Sequence, residues 1–117
     1  MYKGKRDAHM TIEVPMELCY EVKHHGTTWI EVFIPDKKEN LPGVWSSFIV
    51  KPEQVCFLDD KTNIIENINR GTGIKCAKHF ADKDGKRKIV PGTEEFLDPM
   101  EIKQRIDFYV YLQNYRP

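Results

Sequence analysis

The sequence predicts an α+β protein with a mostly antiparallel sheet of roughly five to seven strands, a C-terminal helix packed on one face and a short second helix. Three observations support this fold class. Apolar and polar residues alternate with period two between residues 10 and 50, turn residues interrupt the alternation, and a capped helical pattern begins near residue 98. At 117 residues the chain has the size of one domain. We therefore expect a single domain over residues 10–117 behind a loose leader, residues 1–9.

Strands account for most of the first half of the chain, where the apolar stretches are rich in β-branched and aromatic residues. The predicted strands cover residues 10–14, 18–23, 29–34, 44–50 and the short apolar run 55–58. Gly26 permits the tight turn of a hairpin between the second and third of them. Residues 35–43 contain two prolines and several charges, which is typical of a surface loop.

Two later segments have helical patterns. Ile64, Ile65 and Ile68 fall on one face of a helix, and they predict the short second helix. Asp98 followed by Pro99 has the chemistry of an N-cap and a first helical residue, and the apolar spacing beyond it predicts a helix of roughly four turns.

The stretch IKCAKHFADKDGKRK predicts a second hairpin, because Asp84 and Gly85 tolerate the positive φ angles of a two-residue turn. Pairing around that turn places Phe80 opposite Ile89. Alternation then puts Cys76 on the apolar face, away from the histidine, so these two residues cannot hold a metal together. The predicted basic face consists of Lys75, His79, Lys83, Lys86 and Lys88.

This basic face predicts nucleic-acid binding as an alternative function, since a stripe of lysines can follow a phosphate backbone. The chain has 18 basic and 18 acidic residues, but residues 1–60 hold 7 basic and 10 acidic side chains whereas residues 61–117 hold 11 and 8. The competing interpretation is a solvated hairpin whose lysines prevent edge pairing. The predicted face contains no aromatic residue on which a base could stack.

The C-terminal helix is apolar on two sides. One stripe, which we expect to pack on the sheet, consists of Ile102, Ile106, Tyr109, Val110 and Leu112. Three rings gather on the far side. Either a second layer of this chain covers those rings or a partner does. Trp29 and Phe33, on the predicted strand that follows the Gly26 turn, raise the same question. The predicted interface residues are Phe108, Tyr111, Tyr115, Trp29 and Phe33. We expect a small accessory protein, inhibitor- or immunity-like, that binds a protein partner or a second copy of itself.

Other chemistry is not indicated by the sequence. Cys19, Cys56 and Cys76 are odd in number and lack a CxxC motif, which favours reduced thiols in the cytoplasm. No apolar run approaches the ~20 residues of a membrane span, and no secretory signal is apparent. His24 and His25 are expected to splay apart at a hairpin tip, where a metal would require distant ligands. We expect no cofactor, no resident metal and no enzymatic activity.

Overall fold

The computed structural model describes residues 9–35 and 43–115, and it shows the α+β architecture with mostly antiparallel sheets and a C-terminal helix. The described residues form nine strands, more than the sequence predicts, and one α-helix. The strands are β1 (His9–Pro15), β2 (Cys19–His24), β3 (Thr27–Ile34), β4 (Val44–Val50), β5 (Val55–Asp59), β6 (Thr62–Asn69), β7 (Ile74–Ala81), β8 (Arg87–Ile89) and β9 (Glu95–Leu97). Helix α1 spans Pro99–Asn114, and short 3₁₀ turns occupy Met16–Leu18 and Pro52–Gln54.

The strands form two sheets. The smaller sheet has the order β1-β6-β5, and the larger has the order β2-β3-β4-β7-β8, with β9 also paired to β7. All of these pairings are antiparallel. The predicted hairpin at Gly26 is confirmed, because His24 pairs with Thr27 across a two-residue turn in which both His25 and Gly26 have positive φ.

One hydrophobic core joins both sheets and the helix. Ile12 and Ile65 enter it from the smaller sheet, Val32 and Phe48 from the larger sheet, and Ile106 from α1. Because successive side chains of a strand point to opposite sides, each sheet contributes one face to this core. The opposite face of the larger sheet, called the outer face below, points away from it.

Helix α1 begins as the sequence predicts. The side chain of Asp98 accepts a hydrogen bond of 2.9 Å from the backbone N–H of Met100, and Pro99 occupies the first turn. Ile102 and Ile106 are fully buried. The prediction that this stripe packs on the protein is confirmed for these two residues, and Tyr109 and Val110 are half-buried against the core. It is wrong for Leu112 at the end of the stripe, which is 50% exposed.

The predicted second helix is wrong, because residues 62–69 form strand β6. Ile65 and Ile68 are both buried although they lie three residues apart. A bulge explains this spacing. Met10 pairs with Ile68 and Ile12 pairs with Ile65, so β6 contains one extra residue, and Asn67 adopts a φ of 58° within it. The extra residue produces a three-residue apolar spacing that resembles a helical one.

The predicted register of the basic hairpin is also wrong by one residue. Ala81 pairs with Arg87 and Phe80 pairs with Lys88, and the turn between them is closed by Asp82. Its backbone carbonyl accepts from the N–H of Gly85 at 2.9 Å, and its side chain accepts from the N–H groups of residues 84 and 86 at 2.9 Å each. Because Asp82 stabilises this turn, only Gly85 needs a positive φ, and the two-residue turn does not form.

Several predictions lie partly or wholly outside the described residues. Residues 1–8 of the predicted leader lie outside the described residues, whereas its last residue, His9, belongs to β1. Most of the predicted surface loop, residues 36–42, also lies outside them. Among the described residues, no helix combines the length and the apolar character needed to cross a bilayer.

Candidate functional site

The outer face of the larger sheet collects polar and aromatic side chains. Directly opposed residues of neighbouring strands share a face. Ser47 is paired with Phe33 and with Ala77, and His79 is paired with Trp45 and with Ile89. The one-residue change in register moves Arg87 and Ile89 onto this face and Lys88 onto the other. The residues that matter chemically here are Glu31, Phe33, Trp45, Ser47, His79 and Arg87.

Glu31 lies at the centre of this group and is only 3% exposed. Arg87 donates to both carboxylate oxygens, from Nε to Oε1 at 3.1 Å and from Nη2 to Oε2 at 3.0 Å. Oε2 also accepts from Trp45 Nε1 at 2.9 Å and from Ser47 Oγ at 2.5 Å. A buried carboxylate is tolerated only when it is paired and hydrogen-bonded, and four donors meet this requirement.

Two opposing effects act on the pKa of Glu31. Burial raises it, because the charged form loses its water, but the hydrogen bonds from Arg87, Ser47 and Trp45 together outweigh burial and hold the pKa below its usual value. Arg87 itself is partly exposed. The ion pair is therefore ionised at neutral pH, and it closes the network from the solvent side.

His79 extends the network by one hydrogen bond. Its Nδ1 lies 3.1 Å from Ser47 Oγ, and the residue is 4% exposed. Because the single hydroxyl proton of Ser47 is donated to Glu31, the network assigns the Nδ1–H tautomer, in which His79 donates to the serine oxygen. Burial and the nearby charge of Arg87 lower the pKa of His79, while Glu31 and the carbonyl of Ala77 oppose the shift. His79 is therefore neutral at pH 7.

Aromatic rings lie beside the polar network. Ring centroids are 4.9 Å apart between Tyr20 and Phe33, 5.7 Å between Phe33 and Trp45, and 6.0 Å between Trp45 and His79. A shallow groove of about 210 Å³ opens next to this row, with Trp29 and Ile49 among its apolar walls and Ser47, His79 and Arg87 among its polar lining.

The polar side chains are not arranged in a way that would activate Ser47 as a nucleophile. In a catalytic serine arrangement a base takes the hydroxyl proton, and a carboxylate orients that base. Here the carboxylate holds the serine proton directly, and Arg87 neutralises its charge. The arrangement is suited to holding β3, β4, β7 and β8 in one register.

The predicted helix interface is exposed. Phe108 is 48%, Tyr111 59% and Tyr115 55% exposed. The rings follow one another at centroid distances of 6.4 Å and 6.1 Å. Leu112 beside them is also exposed. Of the two alternatives that the sequence leaves open, coverage by a second layer of the same chain does not occur among the described residues. These three rings are called the ring stripe below.

Trp29 and Phe33 are placed differently from the ring stripe. Both lie on the outer face, where they are half-buried, and Phe33 is stacked against Trp45. Trp29 lines the groove. The structure therefore does not join the five predicted interface residues into one surface, but divides them between a helix and a sheet.

The predicted basic face is not formed as a single surface. His79 is buried in the polar network, and Lys88 points to the side opposite the histidine. Lys75 is paired with Glu94 at 3.5 Å. Lys83 and Lys86 are exposed in the turn. The expectation that these five side chains share an exposed face is wrong. The one-residue shift of the turn register moves Lys88 to the other face, and His79 is buried beside Ser47.

The remaining candidates from the sequence are the two hairpin histidines and the three cysteines. The prediction that His24 and His25 splay apart is wrong, since their ring centroids are only 4.2 Å apart. All three cysteines are free, and burial raises the pKa of Cys76 to about 12, so this thiol is not a nucleophile at neutral pH. Among the described residues, no group of three or more His, Cys, Asp or Glu side chains could hold a metal ion.

The patterns in the sequence do not predict that Glu31, Ser47, Trp45 and Arg87 form a group. One signal was available, because Glu31 is the only charged residue within the β3 sequence TTWIEVFI. An acidic residue inside such a strand needs a partner. The partner could not be named, since Arg87 reaches this face only in the observed register.

Comparison of the chain with family models, with curated proteins and with solved structures found no match.

Proposed function

We propose that this chain is a non-enzymatic binding protein that docks a protein partner on the ring stripe of α1. The observation that carries the proposal is that the rings of Phe108, Tyr111 and Tyr115 contact one another in sequence and are still about half exposed. Exposed apolar patches of this kind mark interaction sites, and Tyr and Phe are enriched at the centres of protein interfaces.

The surroundings of the ring stripe support this function. At 100° per residue, Glu101 and Gln104 continue the same side of α1 towards its beginning. Glu101 is bound to Arg105 by an ion pair of 2.8 Å, so that end of the helix face is polar. An apolar centre bounded by polar side chains is the usual anatomy of a protein interface.

The polar network on the outer face supports a binding role over catalysis. The Ser47 hydroxyl is held by Glu31, and the Cys76 thiol is buried and protonated. Neither group has the activated state that covalent catalysis requires. The three free cysteines further support a reducing compartment, which is the cytoplasm in most cells.

The test is the substitution Tyr111→Asp, which places a charge in the middle of the ring stripe. Affinity capture from cell extract identifies the partner, and titration with the purified captured protein measures its affinity for wild type and for the variant. We expect Tyr111→Asp to weaken the binding at least tenfold, because a buried unpaired carboxylate disrupts an apolar interface.

Gln113→Asp is the matched control, since Gln113 is exposed on the same helical turns but points away from the ring stripe. This variant should bind as wild type does, and circular dichroism should show that both variants are folded. Equal binding by wild type, Tyr111→Asp and Gln113→Asp would contradict the proposal.

A further inference from the structure

A second surface lies at the edge of the smaller sheet, remote in sequence from the ring stripe. Strand β5 pairs with β6 on one side, and its other side has no strand partner among the described residues. An edge strand presents unpaired N–H and C=O groups that can pair with another chain. Proteins normally block such edges with charges, proline or very short strands.

The other edge strands have such protection. β1 contains Glu13 and ends at Pro15, and β2 contains Glu21 and Lys23. β8 and β9 have three residues each, and each carries charge. β5 has the sequence VCFLD, in which four uncharged residues precede Asp59. β5 is therefore the least protected edge of the described sheets.

The side chains of β5 are apolar on both faces of the sheet. Phe57 is 71% exposed, the highest value among the large apolar residues described, and Leu58 is 45% exposed. Neighbouring residues of a strand point to opposite faces. A partner that satisfies the backbone edge and covers both side chains must itself be an extended apolar strand, as in β-strand addition.

We propose that this strand is β5 of a second copy, paired antiparallel about a two-fold axis at Phe57. Phe57 then faces the partner's Phe57, and Cys56 faces the partner's Leu58. The charges of the sequence select this register. An axis at Cys56 would place Glu53 opposite the partner's Asp59, and an axis at Leu58 would place Phe57 opposite that aspartate. Only the axis at Phe57 keeps the central residues apolar and separates like charges.

This pairing joins the smaller sheets of two copies into one continuous sheet. The irregular register of β5 between Phe57 and Asp59 limits the length of the contact. So short an edge buries less than the ~1,000 Å² of a stable interface, and the dimer should therefore be weak and dependent on concentration.

Sedimentation equilibrium over a wide concentration range tests the proposal. Wild type should shift towards dimer as its concentration rises, and Phe57→Lys should remain monomeric, because a lysine would face the partner's lysine. Phe96→Lys is the matched control, since Phe96 is 66% exposed on β9. It should dimerise as wild type does. A wild type that stays monomeric at the highest concentration overturns the proposal, and so does a dimer that survives Phe57→Lys or is lost in Phe96→Lys.

The same experiment separates this surface from the ring stripe. Tyr111→Asp should leave the β5 dimer intact. A dimer that is lost in Tyr111→Asp and retained in Phe57→Lys belongs to the ring stripe and overturns the β5 proposal, while it leaves the proposed function standing.

Disulfide trapping with diamide as the oxidant tests the register. In a Cys19→Ser, Cys56→Ser background, Phe57→Cys should form a covalent dimer rapidly. Directly opposed residues of antiparallel strands have Cα atoms about 4.5–5.5 Å apart, which is within the range of about 4.4–6.8 Å that a disulfide spans. Leu58→Cys should react more slowly in the same background, since its counterpart is displaced by two residues. Cys76 is 3% exposed and should stay reduced. Equal trapping rates for the two variants contradict an axis at Phe57.

Discussion

The two faces of the larger sheet bury side chains by different means. Along β3, Glu31 and Val32 are neighbours, and along β4, Ser47 and Phe48 are neighbours; all four are buried. Val32 and Phe48 point into the apolar core, whereas Glu31 and Ser47 point to the outer face and depend on hydrogen bonds. The difference shows that depth of burial alone does not say how a residue stabilises this sheet.

The two kinds of burial respond differently to damage. A truncated core side chain loses apolar contacts in proportion to its size, at roughly 25 cal/mol per Å². A buried carboxylate that loses its cation retains the full cost of its missing hydration. The outer face should therefore tolerate removal of the whole ion pair better than removal of one member.

The largest effect is expected for Arg87→Met, which leaves Glu31 buried without its cation. Breaking a buried ion pair costs about 3–5 kcal/mol, and the partial exposure of Arg87 favours the lower end of that range. Urea unfolding should show a loss of about 3 kcal/mol in the free energy of unfolding. The control Arg70→Met removes an exposed arginine and should change it by less than about 0.5 kcal/mol.

The double variant Glu31→Leu, Arg87→Met sharpens the comparison, because it converts the outer face to the apolar chemistry of the inner one. It should be more stable than Arg87→Met alone, since no unpaired charge remains. A double variant less stable than the single one would show that the hydrogen bonds of Glu31 stabilise the sheet independently of its charge partner.

A smaller effect is expected for Ser47→Ala. The hydroxyl donates to a charged oxygen at 2.5 Å, and hydrogen bonds to charged groups contribute about 1.5–3 kcal/mol. Because Trp45 and Arg87 still bind Glu31, we expect a loss near the lower limit, about 1.5 kcal/mol. Ser46→Ala, at the adjacent half-buried position on the inner face, is the matched control. Similar losses for both serines in thermal or urea unfolding would be evidence against a special role of the network.

Periodicity and capping predicted the fold class, most of the strands and helix α1. They succeeded where a local pattern determines the structure, as at the Asp98 cap and the Gly26 turn. They failed where a single residue changes a register. The bulge at Asn67 made a strand resemble a helix, and the Asp82 turn shifted the basic hairpin by one position.

The candidate site was harder to predict than the fold. The helical spacing of Phe108, Tyr111 and Tyr115 alone separated these rings from the core stripe, and the structure leaves them exposed. The polar network joins residues from β3, β4, β7 and β8, and its geometry depends on cross-strand register. A sequence pattern that is correct within each strand cannot supply that register when one turn is misassigned.

The smallest effect is a pH dependence from His79. Burial and Arg87 lower its pKa in the folded state, while the unfolded chain titrates near 6.5. Between those two pKa values the unfolded chain binds a proton that the folded chain does not, so stability falls as pH drops below about 6.5, by at most about 1.4 kcal/mol per pH unit. The lowered pKa of Glu31 acts only in more acidic solution, below about pH 4.3. From pH 7.5 to 5.5, wild type and the exposed-site control His24→Gln should therefore lose more stability in urea than His79→Gln does. An equal loss in all three proteins would mean that His79 is protonated without cost, and that the outer face is more open to water than its hydrogen bonds imply.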